Sequence, residues 1–150
     1  MRAVGAVRIV LGVSLLVGAD AGESARDLAA LQGGWRLVSS EVNGESMVEE
    51  AGETERLTIA ATRFAVRRQG TLTSYSIRLE PSSDPKALEL TIESGPVKGQ
   101  VLKGIYKLDG DLFTICHGLT PKDDRPVEFS TGAESGHTLK VWRRVHSEDR

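Results

Sequence analysis

Hydrophobic positions in this chain recur mostly at every second residue, the period of a half-buried strand. The clearest case is Gly104–His117, where Tyr106, Leu108, Phe113 and Ile115 share one face. Lys103, Lys107, Thr114 and Cys116 share the other. Asp109-Gly110 lies between the two runs and fits a two-residue type I′ turn, in which both residues need φ > 0. That turn would set Leu108 opposite Asp111, Tyr106 opposite Phe113, Gly104 opposite Ile115 and Leu102 opposite His117. The pattern predicts an antiparallel hairpin with one core face and one mostly polar face.

Further strand-like runs are Trp35–Val42, Arg56–Ala60, Phe64–Arg68, Thr71–Leu79, Ala87–Glu93 and His137–Val145. Trp35–Val42 alternates poorly, and Ala61-Thr62 is poor turn chemistry. In the last run, Leu139, Val141, Arg143 and Val145 fall on one face and Trp142 on the other. Pro126–Ser130 is compatible with a further extended segment. Glu45–Glu55 reads as an acidic loop or one short helical turn, and Gly22–Ala30 as a short helix or loose arm. Short strands joined by short turns predict an all-β fold. We expect a single antiparallel up-and-down β-barrel of about eight strands, which can enclose side chains or one small ligand. A two-sheet β-sandwich is the alternative.

The N-terminus changes the picture from fold to compartment. Met1–Arg8 is basic without an acid, Ile9–Ala19 is apolar, and Ala19-Asp20-Ala21 is a small-x-small cleavage pattern. Residues 1–21 therefore read as a secretory signal peptide, with Gly22 as the first mature residue and an extracytoplasmic location, periplasmic or secreted. The apolar run is far shorter than the ~20 residues that span a bilayer, so no stable membrane insertion is expected after cleavage. The expected organisation is signal peptide 1–21, N-terminal arm 22–30, β-barrel 31–146 and C-terminal tail 147–150. At 150 residues, this is one domain.

Charge is nearly balanced, with 19 Lys+Arg against 21 Asp+Glu and no block of like sign, which argues against a nucleic-acid partner. Cys116 is the single cysteine, so no internal disulfide can form. Cys116 and His117 are strand neighbours and point to opposite faces, so they cannot form a catalytic dyad together. His117, His137 and His146 lack metal-ligand spacing. Asp109 and Asp111 belong to a turn, Asp123-Asp124 to a solvated loop, and no EF-hand pattern is present. No catalytic residue, metal site or cofactor is expected.

Four patches carry a resemblance along Leu31–Val145: Leu31-Gln-Gly-Gly-Trp35 with Val42-Asn-Gly44; Pro85-Lys-Ala-Leu88 with Leu90-Thr91; Gly104-Ile-Tyr106 with Leu108-Asp-Gly-Asp111 and Ile115-Cys116; and Arg125-Pro126 with Glu128-Phe129. In these the chain resembles a planctomycete-expanded family of short exported domains of unknown function. It departs at Ala61-Thr62, where that family tends to carry a Gly-containing turn. A looser similarity is to lipocalin-like (calycin) barrels, which carry Gly-x-Trp on the first strand and a basic residue on the last that packs across the Trp. That similarity implies closure by Gly33, Trp35 and either Arg143 or Arg144.

The functional reading is an exported, non-enzymatic binding module. Leu102, Tyr106, Phe113, Ile115 and His117 are the candidate ligand-binding residues, because they share the inward face of the hairpin and ligand pockets are mostly apolar with few polar groups. The partner is then a small apolar or amphipathic ligand. The rival reading is a protein-interaction or envelope-associated module with a filled core.

Overall fold

The computed structural model describes residues 12–47 and 55–146. A helix, α1 (Gly12–Leu31), is followed by β1 (Gly33–Val42), β2 (Glu45–Ser46), β3 (Glu55–Ala60), β4 (Arg63–Arg68) and β5 (Thr71–Glu80). Then come β6 (Ala87–Ile92), β7 (Val101–Asp109), β8 (Leu112–Gly118) and β9 (His137–Arg144). Each strand pairs antiparallel with its neighbour, and β1 pairs with both β3 and β9. The sheet therefore closes on itself as an eight-stranded up-and-down barrel, and β2 is a short extra strand beside the far end of β1. The sandwich alternative is excluded by that closure.

β1 alternates poorly because it contains a bulge. Leu37 pairs with Trp142 and Ser39 with Val141, leaving Val38 as the extra residue. The inward set is Trp35 and Leu37 before the bulge, then Ser40 and Val42 after it. Val38 is left on the outside, 40% exposed.

The Gly104–His117 hairpin forms, with a different register. Asp109 pairs with Leu112, Leu108 with Phe113, Tyr106 with Ile115 and Gly104 with His117. The two turn residues are thus Gly110-Asp111, and only Gly110 has positive φ, at 56°. That is the type II′ pattern, with glycine first, and Asp109 ends the strand instead of entering the turn. The shift moves each partner by two residues, so side chains keep their faces. The outer face is less polar in its setting than expected. Ile105 and Cys116 are buried there. Cys116 lies under the segment between β8 and β9, which includes Pro126–Ser130 and forms no strand. Arg125 in that segment donates to the carbonyls of Leu88 and Gly104 at 2.7 and 2.6 Å, and Lys107 lies 4.7 Å over the Phe129 ring.

The expected arm is helical and docked. Ser24, Asp27, Leu28 and Leu31 follow the i, i+3, i+4, i+7 spacing of one helix face, and that face closes one end of the barrel. Leu31 is fully buried. Asp27 accepts from the Tyr106 hydroxyl at 2.6 Å and from Lys86 at 2.9 Å. Trp35 Nε1 donates to the Leu31 carbonyl at 3.0 Å. Of the proposed signal peptide, residues 1–11 lie outside the described residues and the rest belongs to α1. The 147–150 tail and part of the Glu45–Glu55 loop also lie outside them.

The β3–β4 turn explains its poor chemistry. Ala61 sits at φ 52°, in the left-handed region that costs a non-glycine residue roughly 1–2 kcal/mol. Gln32 holds it there, accepting from the Ala61 amide at 2.7 Å and donating to its carbonyl at 3.0 Å. Replacing Ala61 with glycine relieves the strain but adds unfolded-chain entropy, so we expect a net gain of about 0.5–1 kcal/mol. Chemical denaturation of Ala61→Gly would check this; a loss of stability would mean that the turn is not strained.

Candidate functional site

The barrel interior divides into a filled half and a hollow half. Beside α1, Leu31, Trp35, Leu57, Ile59, Tyr106 and Phe113 are all essentially buried and fill the space. Trp35 and Phe113 meet at 5.8 Å between ring centroids. The Arg144 guanidinium lies 4.3 Å over the Trp35 ring, worth about 0.5–2 kcal/mol. It also donates to the carbonyls of Gln32, at 2.9 Å, and Ala30. A cation thus meets the negative end of α1. Of the two arginines considered for closure, Arg144 does this, and Arg143 points outward and is exposed. Gly33 has φ 114°, a conformation that requires glycine, and the Arg144 side chain passes close by.

Beyond this floor is a cavity of about 540 Å³, within the range of small-molecule sites. Phe64, Leu90, Leu102 and Ile115 supply apolar wall. Arg68, Gln69 and Thr71, all exposed, stand at the mouth. Of the five candidate ligand-binding residues, Leu102, Ile115 and His117 line this cavity. Tyr106 and Phe113 do not; they belong to the filled half, where Tyr106 bonds to α1.

The polar part of the wall comes from residues that sequence periodicity did not single out. Lys140 and Glu55 form an ion pair inside the barrel, with side chains 23% and 1% exposed. Lys140 Nζ lies 5.6 Å from the Trp142 ring centroid. Thr138, Ser40, Thr73 and Tyr75 add further polar groups. Burial raises the Tyr75 hydroxyl above its ordinary pKa, and the Glu55 charge adds to this. Glu55 Oε2, Thr138 Oγ1 and Trp142 Nε1 are buried without a hydrogen-bond partner among the described residues.

β9 accounts for the omission. Its more apolar residues, Leu139 and Val141, face outward, and Thr138, Lys140 and Trp142 face in. Trp142 fixes this phase, because its ring is fully buried beside Phe113 across the strand pair. An interior Trp with Lys two residues before it was the available signal.

His117 projects into the cavity while Cys116 points out, as strand alternation requires. Gly104 sits directly opposite His117, and a Cβ there would come within 2.8 Å of the His117 Cβ. Only a residue without a side chain leaves the imidazole its place. His117 Nδ1 lies 2.7 Å from the Gly118 carbonyl. A carbonyl only accepts, so Nδ1 carries a proton, and in the neutral ring Nε2 is then an acceptor. Burial drives the His117 pKa down to about 4, with a smaller opposing effect from that hydrogen bond, so the ring is neutral near pH 7. Cys116 is fully buried beside the Ser130 carbonyl, and burial pushes its thiol up to about 11, away from nucleophilic use. No cluster of His, Cys, Asp or Glu with metal-binding geometry occurs among the described residues.

Comparison of the chain with protein-family models, with curated proteins and with solved structures finds no match in any of the three. The reading of this cavity therefore rests on its own chemistry.

The Glu55–Lys140 pair and the His117 ring each lead to an expected outcome. Removing Lys140 strands the Glu55 carboxylate, so Lys140→Met should cost about 3–5 kcal/mol, whereas Glu55→Gln/Lys140→Met should recover most of it. Denaturant titration of both variants checks this, and equal losses would mean that the pair is not coupled. His117 has a native pKa below its unfolded value of 6.5, so the unfolded chain binds the proton first. Its contribution is complete above pH 6.5 and is lost as pH falls through about 4. Stability of wild type should therefore decline over that window by about 3 kcal/mol more than that of His117→Gln. Parallel pH profiles would reveal a mistaken environment for His117.

Proposed function

We propose that this protein is an exported, non-enzymatic binding module that carries a small amphipathic ligand inside its barrel. The observation that carries the reading is the cavity of about 540 Å³ in the half of the barrel away from α1. Apolar side chains (Phe64, Leu90, Leu102, Ile115) and polar ones (Glu55, Lys140, Thr138, His117) share the lining, an arrangement that suits a ligand with an apolar body and a polar end. A module with a wholly filled core has no use for that space, so the hollow half favours the ligand carrier over an interaction module. The buried, protonated thiol and the self-paired carboxylate support a binding role over a catalytic one. The N-terminal basic, apolar and small-x-small pattern supports export. The Arg144 guanidinium over Trp35 is the arrangement that the lipocalin resemblance implies, and it supports that likeness.

A neutral environment-sensitive probe, N-phenyl-1-naphthylamine, tests the reading with the full chain. Wild type should bind it saturably with a blue shift. Ile115→Trp, which fills the cavity from β8, should weaken binding about tenfold, equivalent to roughly 1.4 kcal/mol. Failure of wild type to bind, or equal binding by a folded Ile115→Trp, would sink the carrier reading.

A further inference from the structure

We propose that the cavity takes the uncharged polar end of its ligand and discriminates against a carboxylate, and that Glu55 is the residue that sets this preference. The inference rests on the reading of the barrel as a ligand carrier and specifies the chemistry of what it carries.

Charge balance is the first ground. Glu55 and Lys140 are in direct contact, so the ammonium already has its counter-ion. His117 adds no charge near neutral pH, because burial keeps its ring neutral, with the one proton on Nδ1 against the Gly118 carbonyl. Among the described residues the enclosed wall is therefore neutral overall. The other cation in the lining, Arg68, is exposed at the mouth, where water and salt screen it. A carboxylate entering the cavity would lose its hydration, find Lys140 already paired and meet the like charge of Glu55. An ammonium ligand would meet the same difficulty with the signs reversed.

Hydrogen-bonding capacity is the second, independent ground. The unspent groups in this wall are of both kinds. Glu55 Oε2 is an acceptor without a donor, Trp142 Nε1 a donor without an acceptor, and Thr138 Oγ1 can act as either. His117 Nε2 adds another acceptor. Unpaired groups of both kinds in a buried wall favour a ligand end that both donates and accepts, such as a primary amide or a hydroxyl. A carboxylate only accepts, and an ammonium only donates.

Glu55 is the pivot because of the asymmetry in burial. It is 1% exposed, whereas the Lys140 side chain, which lines the cavity, retains 23% exposure. Neutralising Glu55 leaves an ammonium that faces the cavity without a counter-ion, ready for an anionic ligand. One substitution should therefore reverse the preference.

The test uses calorimetric titration of the full chain near neutral pH with octanamide, octanoate and octylammonium, which share one chain length. Wild type should bind octanamide about tenfold more tightly than either ion. Glu55→Gln should raise the affinity for octanoate at least to that for octanamide. Octanoate binding wild type as well as octanamide does would overturn the proposal, and so would an unchanged octanoate-to-octanamide ratio in folded Glu55→Gln. The wild-type ranking decides the matter if Glu55→Gln does not fold. If none of the three binds while N-phenyl-1-naphthylamine does, the stated preference fails and the carrier reading stands. If the probe fails as well, both fall.

Discussion

The structure depends on β1 being shared between two neighbours. It pairs with β3 through Gly33–Arg36 and with β9 along Trp35–Val42. Without the second pairing the sheet would be open, with unpaired backbone along β1 and β9. Trp35 lies at that seam, and the molecule is assembled around it. Its ring is covered by Arg144, it packs on Phe113, and its Nε1 holds the end of α1. Closure, core packing and helix docking thus converge on one side chain, and loss of any one would expose the others.

The same seam runs from the filled half into the hollow half. Large rings and Leu31 occupy the space near α1, so the free volume lies toward the opposite mouth. The bulge at Val38 then matters for the cavity wall. It changes the phase of β1 so that Ser40 and Val42, instead of Ser39 and Glu41, face inward. β9 contributes Lys140 and Thr138 for a related reason, because Trp142 must point in and residues two and four before it must follow. The polar wall is in this sense a consequence of how the apolar floor is packed. The Glu55–Lys140 pair gives that wall a centre, and its buried carboxylate is tolerated because the ammonium is held against it.

Much of this was legible in the chain, and some of it was not. Two-residue periodicity established the strands, and short connections established their antiparallel order. The hairpin shows how far such reasoning reaches. Its faces were right although its register was off by two residues, because parity survives an even shift. Leu102, Ile115 and His117 could be placed toward the interior by alternation alone. Tyr106 and Phe113 could not be separated from them, because position along the barrel axis depends on where α1 docks.

The sequence by itself determined alternation and hence the all-β class, since these follow from local sterics and side-chain polarity, whereas closure into a barrel instead of a two-sheet sandwich came from the pairing of β1 with β9. Only the tertiary structure decided which residues from distant strands meet. Glu55 and Lys140 are 85 positions apart and become partners through closure. Strand pairing together with closure sets Arg143, Arg36, Arg56 and Arg67 in register across four adjacent strands, although the linear sequence holds no block of like charge. Neighbours across a sheet are fixed by register, bulges and closure, and these depend on the packing of the whole core rather than on any single segment.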